Sequence, residues 1–97
     1  MSAFQLQTGD DTARVRLEGE LTIEESAALQ VALRTALRQP RALEIDPAAL
    51  TRIDLAALQV LLAAARAART VRIAAAAPAW TEALARYALD PAFAANS

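Results

Sequence analysis

Alternating apolar and polar residues near the start of the chain predict a β-hairpin. Phe4 and Leu6 alternate with polar neighbours, turn-forming residues occupy positions 8–12, and Val15 and Leu17 then alternate with charged residues. A period of two places every second side chain on the same face of a strand. Because each strand has one apolar and one charged face, we expect the helices to pack on only one face of the sheet.

A helical period follows and predicts an amphipathic helix that starts at Thr22. Thr22 and Glu25 have the spacing of a capping box, in which the two side chains satisfy free backbone amides of the first helical turn. The apolar stripe of this helix has four-residue intervals and consists of Leu29, Leu33 and Leu37. Pro40 is expected to end the helix, because the residue before a proline disfavours helical backbone angles.

A third strand and a second helix are predicted from the same two periods. Leu43 and Ile45 alternate with acidic residues, and we expect Pro47 to stop this strand because proline lacks a backbone donor. A connecting segment over 48–53 would then lead to Asp54, whose carboxylate is the natural N-cap of the second helix. The apolar stripe of that helix is formed by Leu58, Leu61, Leu62 and Ala65.

The remaining segment predicts a fourth strand at 71–73 and a third helix that begins at Pro78, a residue suited to the first helical turn. The apolar face of this helix consists of Trp80, Leu84, Tyr87 and Leu89, and Asp90-Pro91 is expected to close it. The order is therefore ββαβαβα in one α/β domain spanning 1–97. Strands joined through a helix should be parallel, which gives a mixed four-stranded sheet after the antiparallel hairpin.

The composition excludes most familiar catalytic chemistry. The chain has no His, Cys or Lys, so the commonest general base, thiolate metal ligands and an amine nucleophile are missing. Ten basic residues against eleven acidic ones give a net charge of −1, which does not suit nucleic-acid binding. No apolar run reaches the roughly 20 residues that cross a bilayer. We therefore expect a cytoplasmic, non-catalytic protein that uses no cofactor or metal.

Several segments, taken in order, resemble the STAS family and in particular its anti-sigma-factor antagonists. They are the opening hairpin, Leu-Glu-Gly-Glu-Leu-Thr at 17–22, the strand at 42–46, and Leu-Thr-Arg-Ile-Asp at 50–54 running directly into a Leu-rich helix. The resemblance covers about residues 4–93 and implies a STAS-like fold. Its most specific element is 53–58, which stands where the family has an Asp-Ser-Ser-Gly-Leu or Asp-Thr-Ala-Gly-Leu loop.

The chain departs from the family pattern in that loop. In the antagonists the second serine of the loop is phosphorylated by a partner kinase, but the matching residue here is Ala56. Alanine has no hydroxyl, so phosphorylation cannot occur at this degenerate phosphosite. Leu55 and Ala57 replace the family's first Ser or Thr and its glycine, and Thr22 stands where many antagonists carry Asp. The loop is therefore more apolar than the family pattern.

The resemblance implies a protein-protein interaction module of bacterial signalling. Its partner would be an anti-sigma factor, a histidine kinase or a chemotaxis protein, and Ala56 would make it a constitutive binder. The implied partner-binding residues are Thr22, Thr51, Asp54, Leu55, Ala56, Ala57 and Leu58. For the polar members, a capping or turn role is an alternative to partner contact.

A second function remains open at the sequence level. Small STAS proteins also serve as cytosolic accessory subunits of lipid-transporting ABC systems, where the same surface would contact the ATPase subunit. An enzyme or small-ligand binder, the third class, would need polar groups that converge in a pocket. The sequence does not separate signalling from transport.

Overall fold

The computed structural model describes residues 3–75 and 77–87 and contains seven elements in the predicted order. They are β1 (Phe4–Thr8), β2 (Thr12–Leu21), α1 (Ile23–Ala36), β3 (Ala42–Ile53), α2 (Leu55–Ala67), β4 (Val71–Ile73) and α3 (Pro78–Arg86). The predicted order ββαβαβα is confirmed. Within the described part of the chain, no helix is both long and apolar enough to span a bilayer.

The strands form one mixed sheet in the order β1-β2-β3-β4. β1 and β2 pair antiparallel as the predicted hairpin, whereas β2, β3 and β4 run parallel. In the parallel part, Leu21 at the end of β2 lies opposite Ile53 at the end of β3. Because α1 and α2 directly follow these two strands, both helices begin at the same edge of the sheet.

The apolar face of the sheet and the apolar stripes of the helices form one core. The largest fully buried side chains include Leu17, Leu29, Ile45, Leu58 and Leu61. Trp80 and Leu84 of α3 belong to the same core, and Tyr87 packs partly against it. The predicted packing role of Trp80 and Tyr87 is confirmed, while the predicted helical residue Leu89 and the closing Asp90-Pro91 lie outside the described residues.

The opposite face of the sheet is charged and exposed, as the strand alternation predicts. Glu44 lies between Arg14, which donates to its carboxylate, and Arg72, whose Nη1 is 3.6 Å from Glu44 Oε1. The side chains of these two arginines are 56% and 74% exposed, whereas that of Glu44 is 10% exposed. The flanking arginines therefore cover Glu44 on a face that no described helix covers.

The prediction that Pro47 ends the third strand is wrong. β3 continues through Pro47 to Ile53, and the predicted connecting segment at 48–53 is strand. The pairing moves from Arg16–Asp46 to Glu18–Ala49, so β3 carries one extra residue there. A bulge of this kind accommodates a proline, because the missing N–H is not required by the ladder. Pro47 is fully buried at this position.

Candidate functional site

The starts of α1 and α2 form a corner at the carboxyl ends of β2 and β3. We define the corner by Thr22, Ile23, Asp54, Leu55 and Ala56. The backbone N–H of Asp54 donates to Leu21 O at 3.2 Å, which ties the end of β3 to the end of β2. The parallel pairing of the two strands therefore brings together residues that are about 30 positions apart in the sequence.

Asp54 joins the first turns of both helices. Its Oδ1 accepts a hydrogen bond from the backbone N–H of Ala57 at 3.1 Å, which is the predicted N-cap of α2. Its Oδ2 accepts from the backbone N–H of Ile23, the first residue of α1, at 2.7 Å. One carboxylate thus satisfies a free amide at each helix N-terminus, where a negative charge is also favoured by the helix dipole.

Thr22 and Glu25 form the predicted capping box at the start of α1. Glu25 Oε2 accepts from the Thr22 hydroxyl at 2.8 Å and from the Thr22 backbone N–H at 3.2 Å. These two hydrogen bonds, the hydroxyl one first, hold the pKa of Glu25 below its ordinary value. The Thr22 hydroxyl is therefore already engaged by a carboxylate.

The first residues of α2 divide into an exposed and a buried pair. Leu55 is 39% exposed, and Ala56 beside it is half-buried. Ala57 and Leu58 are fully buried in the core. Of the four predicted partner-binding residues in α2, Leu55 is therefore exposed and Ala56 partly so, whereas Ala57 and Leu58 lie beneath them in the core.

Thr51 lies away from the corner, although it precedes Asp54 by only three residues. The pairing moves from Gly19–Leu50 to Glu20–Arg52, so Thr51 is the extra residue of a second bulge in β3. It is exposed and lines a shallow groove with Glu82 and Arg86 of α3. The structure therefore brings Thr22, Asp54, Leu55 and Ala56 together and leaves Thr51 beside α3.

Ile23 is a corner residue that the sequence analysis missed. It is 67% exposed, which makes it one of three exposed large hydrophobic residues in the described chain, with Val31 and Leu55. The available signal was an isoleucine in the first helical turn and outside the leucine stripe of α1. The bond from its N–H to Asp54 places this exposed isoleucine at the same corner as Leu55.

The corner presents exposed apolar side chains beside carboxylates that are already hydrogen-bonded. Its two large side chains are apolar and exposed, while the carboxylates of Asp54 and Glu25 are occupied by hydrogen bonds. Among residues 3–75 and 77–87, no group of acidic side chains is arranged to hold a metal ion. Exposed apolar groups surrounded by polar ones are typical of interaction surfaces.

Solved structures of anti-sigma factor antagonists resemble this fold. An antagonist from Mycobacterium paratuberculosis is 22% identical, with a TM-score of 0.78, and the match covers 96% of this chain and 87% of that one. Unphosphorylated SpoIIAA is 21% identical, with a TM-score of 0.71 and coverage of 82% and 79%. Phosphorylated SpoIIAA from Bacillus is 22% identical, with a TM-score of 0.72 and coverage of 92% and 86%. These likenesses show the fold.

The family comparison covers almost the whole chain. No curated protein matches the sequence. A family model described as "Mlab, STAS domain" matches residues 4–93, which is the span over which the sequence resembles the STAS pattern. This match, together with the ββαβαβα order and the mixed sheet, identifies the chain as a member of the STAS domain family.

Proposed function

We propose that this protein is a non-catalytic protein-binding module that contacts its partner through the corner, without phosphorylation at position 56. The observation that carries the proposal is the pair of exposed apolar residues, Ile23 and Leu55, at two helix starts joined by Asp54. Full burial of a large aliphatic side chain contributes roughly 1.5–3 kcal/mol. Because Ile23 is 67% and Leu55 39% exposed, burying what remains of both on a partner would contribute about as much as one full side chain, roughly 1.5–3 kcal/mol.

Ala56 removes the usual phosphate acceptor, and the other corner hydroxyl is poorly placed to replace it. The Thr22 hydroxyl donates to Glu25, and the hydrogen bonds from Thr22 lower the pKa of Glu25, while the nearby charge of Asp54 opposes that lowering only weakly. A phosphate on Thr22 would bring close to two further negative charges to these carboxylates. We therefore expect binding through the corner to proceed without phosphorylation at position 56 or at Thr22.

The first partner class is a bacterial signalling protein, namely an anti-sigma factor, a histidine kinase or a chemotaxis protein. The similarity in fold to anti-sigma factor antagonists supports this class. In such a system the fraction of partner bound would depend only on the concentration of the module, because residue 56 is an alanine and phosphorylation there cannot alter the affinity. We propose that it acts in the cytoplasm.

The second partner class is the ATPase subunit of a lipid-transporting ABC system. The observation that favours it is the family description, which names Mlab rather than an antagonist. Permanent association with an ATPase also needs no phosphoswitch, which agrees with alanine at position 56. The same corner would serve either partner.

An affinity pull-down from the native organism tests both the site and the partner class. Leu55→Arg and Ile23→Arg place a charge in the corner, whereas Val31→Arg makes the same kind of change at a residue that is 63% exposed and about 12 Å further along α1. Mass spectrometry should recover a partner with wild type and Val31→Arg, but not with the two corner variants.

The identity of the recovered protein decides between the classes. An anti-sigma factor or signalling kinase would support the first, and an ATPase with its permease would support the second. Equal recovery with Leu55→Arg and wild type would remove the corner from the interface. Circular dichroism of each variant should match wild type, because all three substituted residues are exposed.

A further inference from the structure

A groove lies between β1 and the second half of α1, near the end of the helix that is remote from the corner. Its volume is about 570 Å³, within the range of small-molecule sites. Leu6, Ala32 and Ala36 provide its apolar part, and Thr8, Thr35 and Gln39 add polar groups. The 13-residue rise from Ile23 to Ala36 separates this groove from the corner by about 20 Å along α1.

Two guanidinium groups give the groove a positive charge. Arg38 and Arg41 line it, and no acidic residue does. The ion pairs among the described residues lie instead on the charged face of the sheet and use Arg14, Arg16 and Arg72. The end of α1 contributes only about half a negative charge from its free carbonyls. Asp10 and Asp11 of the adjacent hairpin turn are exposed and do not line the groove, so the charges that a bound ligand would meet directly are those of the two guanidinium groups.

Arg41 is held in place before any ligand arrives. Its Nε donates to Gly9 O at 3.0 Å, its Nη1 donates to Ala36 O, and its Nη2 is 3.4 Å from Gln39 Oε1. All three acceptors are neutral, so they orient the guanidinium without cancelling its charge. A fixed cation loses little conformational entropy when an anion binds beside it. The exposed Arg38 supplies the second cation.

We propose that this groove binds a small organic anion, a phosphate monoester or a carboxylate joined to an apolar group. The anionic end faces Arg38 and Arg41, with the Thr35 hydroxyl as a further donor, and the apolar end rests on Leu6 and Ala32. This site is separate from the corner, so its existence does not depend on the partner-binding function proposed above.

Amide NMR titration with phenyl phosphate tests the proposal. Saturable shifts are expected at Thr8, Thr35, Arg38 and Gln39, and inorganic phosphate should bind more weakly because it lacks the apolar group. Arg38→Gln removes one charge-assisted contact and should weaken binding about tenfold or more. The matched control is Arg34→Gln, which removes the same charge from the neighbouring α1–α2 groove and should leave affinity unchanged.

The absence of saturable shifts would overturn the proposal. An equal loss of affinity with Arg34→Gln and Arg38→Gln would also overturn it, because it would indicate only non-specific attraction to a basic helix end.

A parallel experiment compares vesicles of phosphatidic acid with vesicles of phosphatidylcholine. Vesicle binding that Arg38→Gln weakens and Arg34→Gln does not would support a lipid headgroup as the source of the anion. Binding of phenyl phosphate without vesicle binding would support a soluble metabolite.

Discussion

Replacing Asp54 with alanine should destabilise the protein through two helices at once. The substitution removes the acceptor for the Ala57 amide at the start of α2 and the acceptor for the Ile23 amide at the start of α1. Losing an N-cap costs about 1 kcal/mol. A net hydrogen bond contributes about 0.5–1.5 kcal/mol, and the lower half of that range applies here because water can reach the exposed Ile23 amide.

The expected loss in the free energy of unfolding for Asp54→Ala is therefore about 1.5–2 kcal/mol, which for a domain of this size lowers Tm by roughly 6–16 °C. Asp54→Asn keeps one acceptor oxygen, which can serve one of the two amides, so its loss in the free energy of unfolding should be about half that of Asp54→Ala. Urea unfolding followed by circular dichroism gives the free energies by linear extrapolation. Asp10→Ala, a carboxylate removal in the exposed hairpin turn, is the control and should have little effect.

A second variant separates the two hydrogen bonds of Asp54, namely the N-cap bond to the Ala57 amide and the bond to the Ile23 amide that links the two helices. Ile23→Pro deletes the backbone donor to Asp54, while proline is well tolerated at the first helical position. Thr22 before it is already extended, at φ −114° and ψ −178°, as a residue preceding proline should be. In the Ile23→Pro background, Asp54→Ala should cost only the cap, about 1 kcal/mol. If Asp54→Ala lowers the free energy of unfolding equally in both backgrounds, the bond between Asp54 and the Ile23 amide does not contribute to stability.

Three further predictions concern single positions. Gly19→Ala should cost about 1–2 kcal/mol, because Gly19 has φ +60°. The loss would come from backbone strain alone, since an added Cβ would meet nothing within 4 Å; a loss below that of Gly9→Ala in urea unfolding would contradict this. The folded state lowers the pKa of Glu25, so its contribution to stability is present above the ordinary pKa of 4.5 and is lost as the pH falls through the lower folded value. The difference in unfolding free energy between wild type and Glu25→Gln should shrink over that window, and a pH-independent difference would be evidence against it. Ala56→Ser should leave partner affinity unchanged without a kinase, whereas Ala56→Glu should lower it in the same calorimetric titration; a gain of affinity with Ala56→Glu would reverse the proposed role of this position.

Local signals in the sequence were sufficient to predict most elements. Thr22 with Glu25, Asp54 and Pro78 each act within one helical turn, and all three helices start where these residues predict. The strand alternation likewise predicted the charged face that carries Glu44. These features depend on neighbours in the sequence, so they can be read without knowledge of the fold.

The missed features depend on contacts between distant segments. Pro47 was expected to end β3, but the bulge opposite β2 removes the need for its amide. The second acceptor role of Asp54 involves Ile23, 31 residues away, and only the parallel register of β2 and β3 brings them together. Arg41 gives no local signal of its bond to Gly9, which is 32 residues away.

The double role of Asp54 links the stability of the corner to its shape. Its two bonds set the start of α1 against the start of α2, so the exposed Ile23 and Leu55 are presented in one fixed relation. If the partner is bound by packing against both side chains, a change in that relation lowers affinity even when each residue is intact. Asp54→Ala should therefore weaken binding under conditions where the variant is still fully folded. A separate cap for each helix would satisfy the same amides without a direct link between the two helix starts, and on the binding mode proposed above this link is how Asp54 would influence partner affinity.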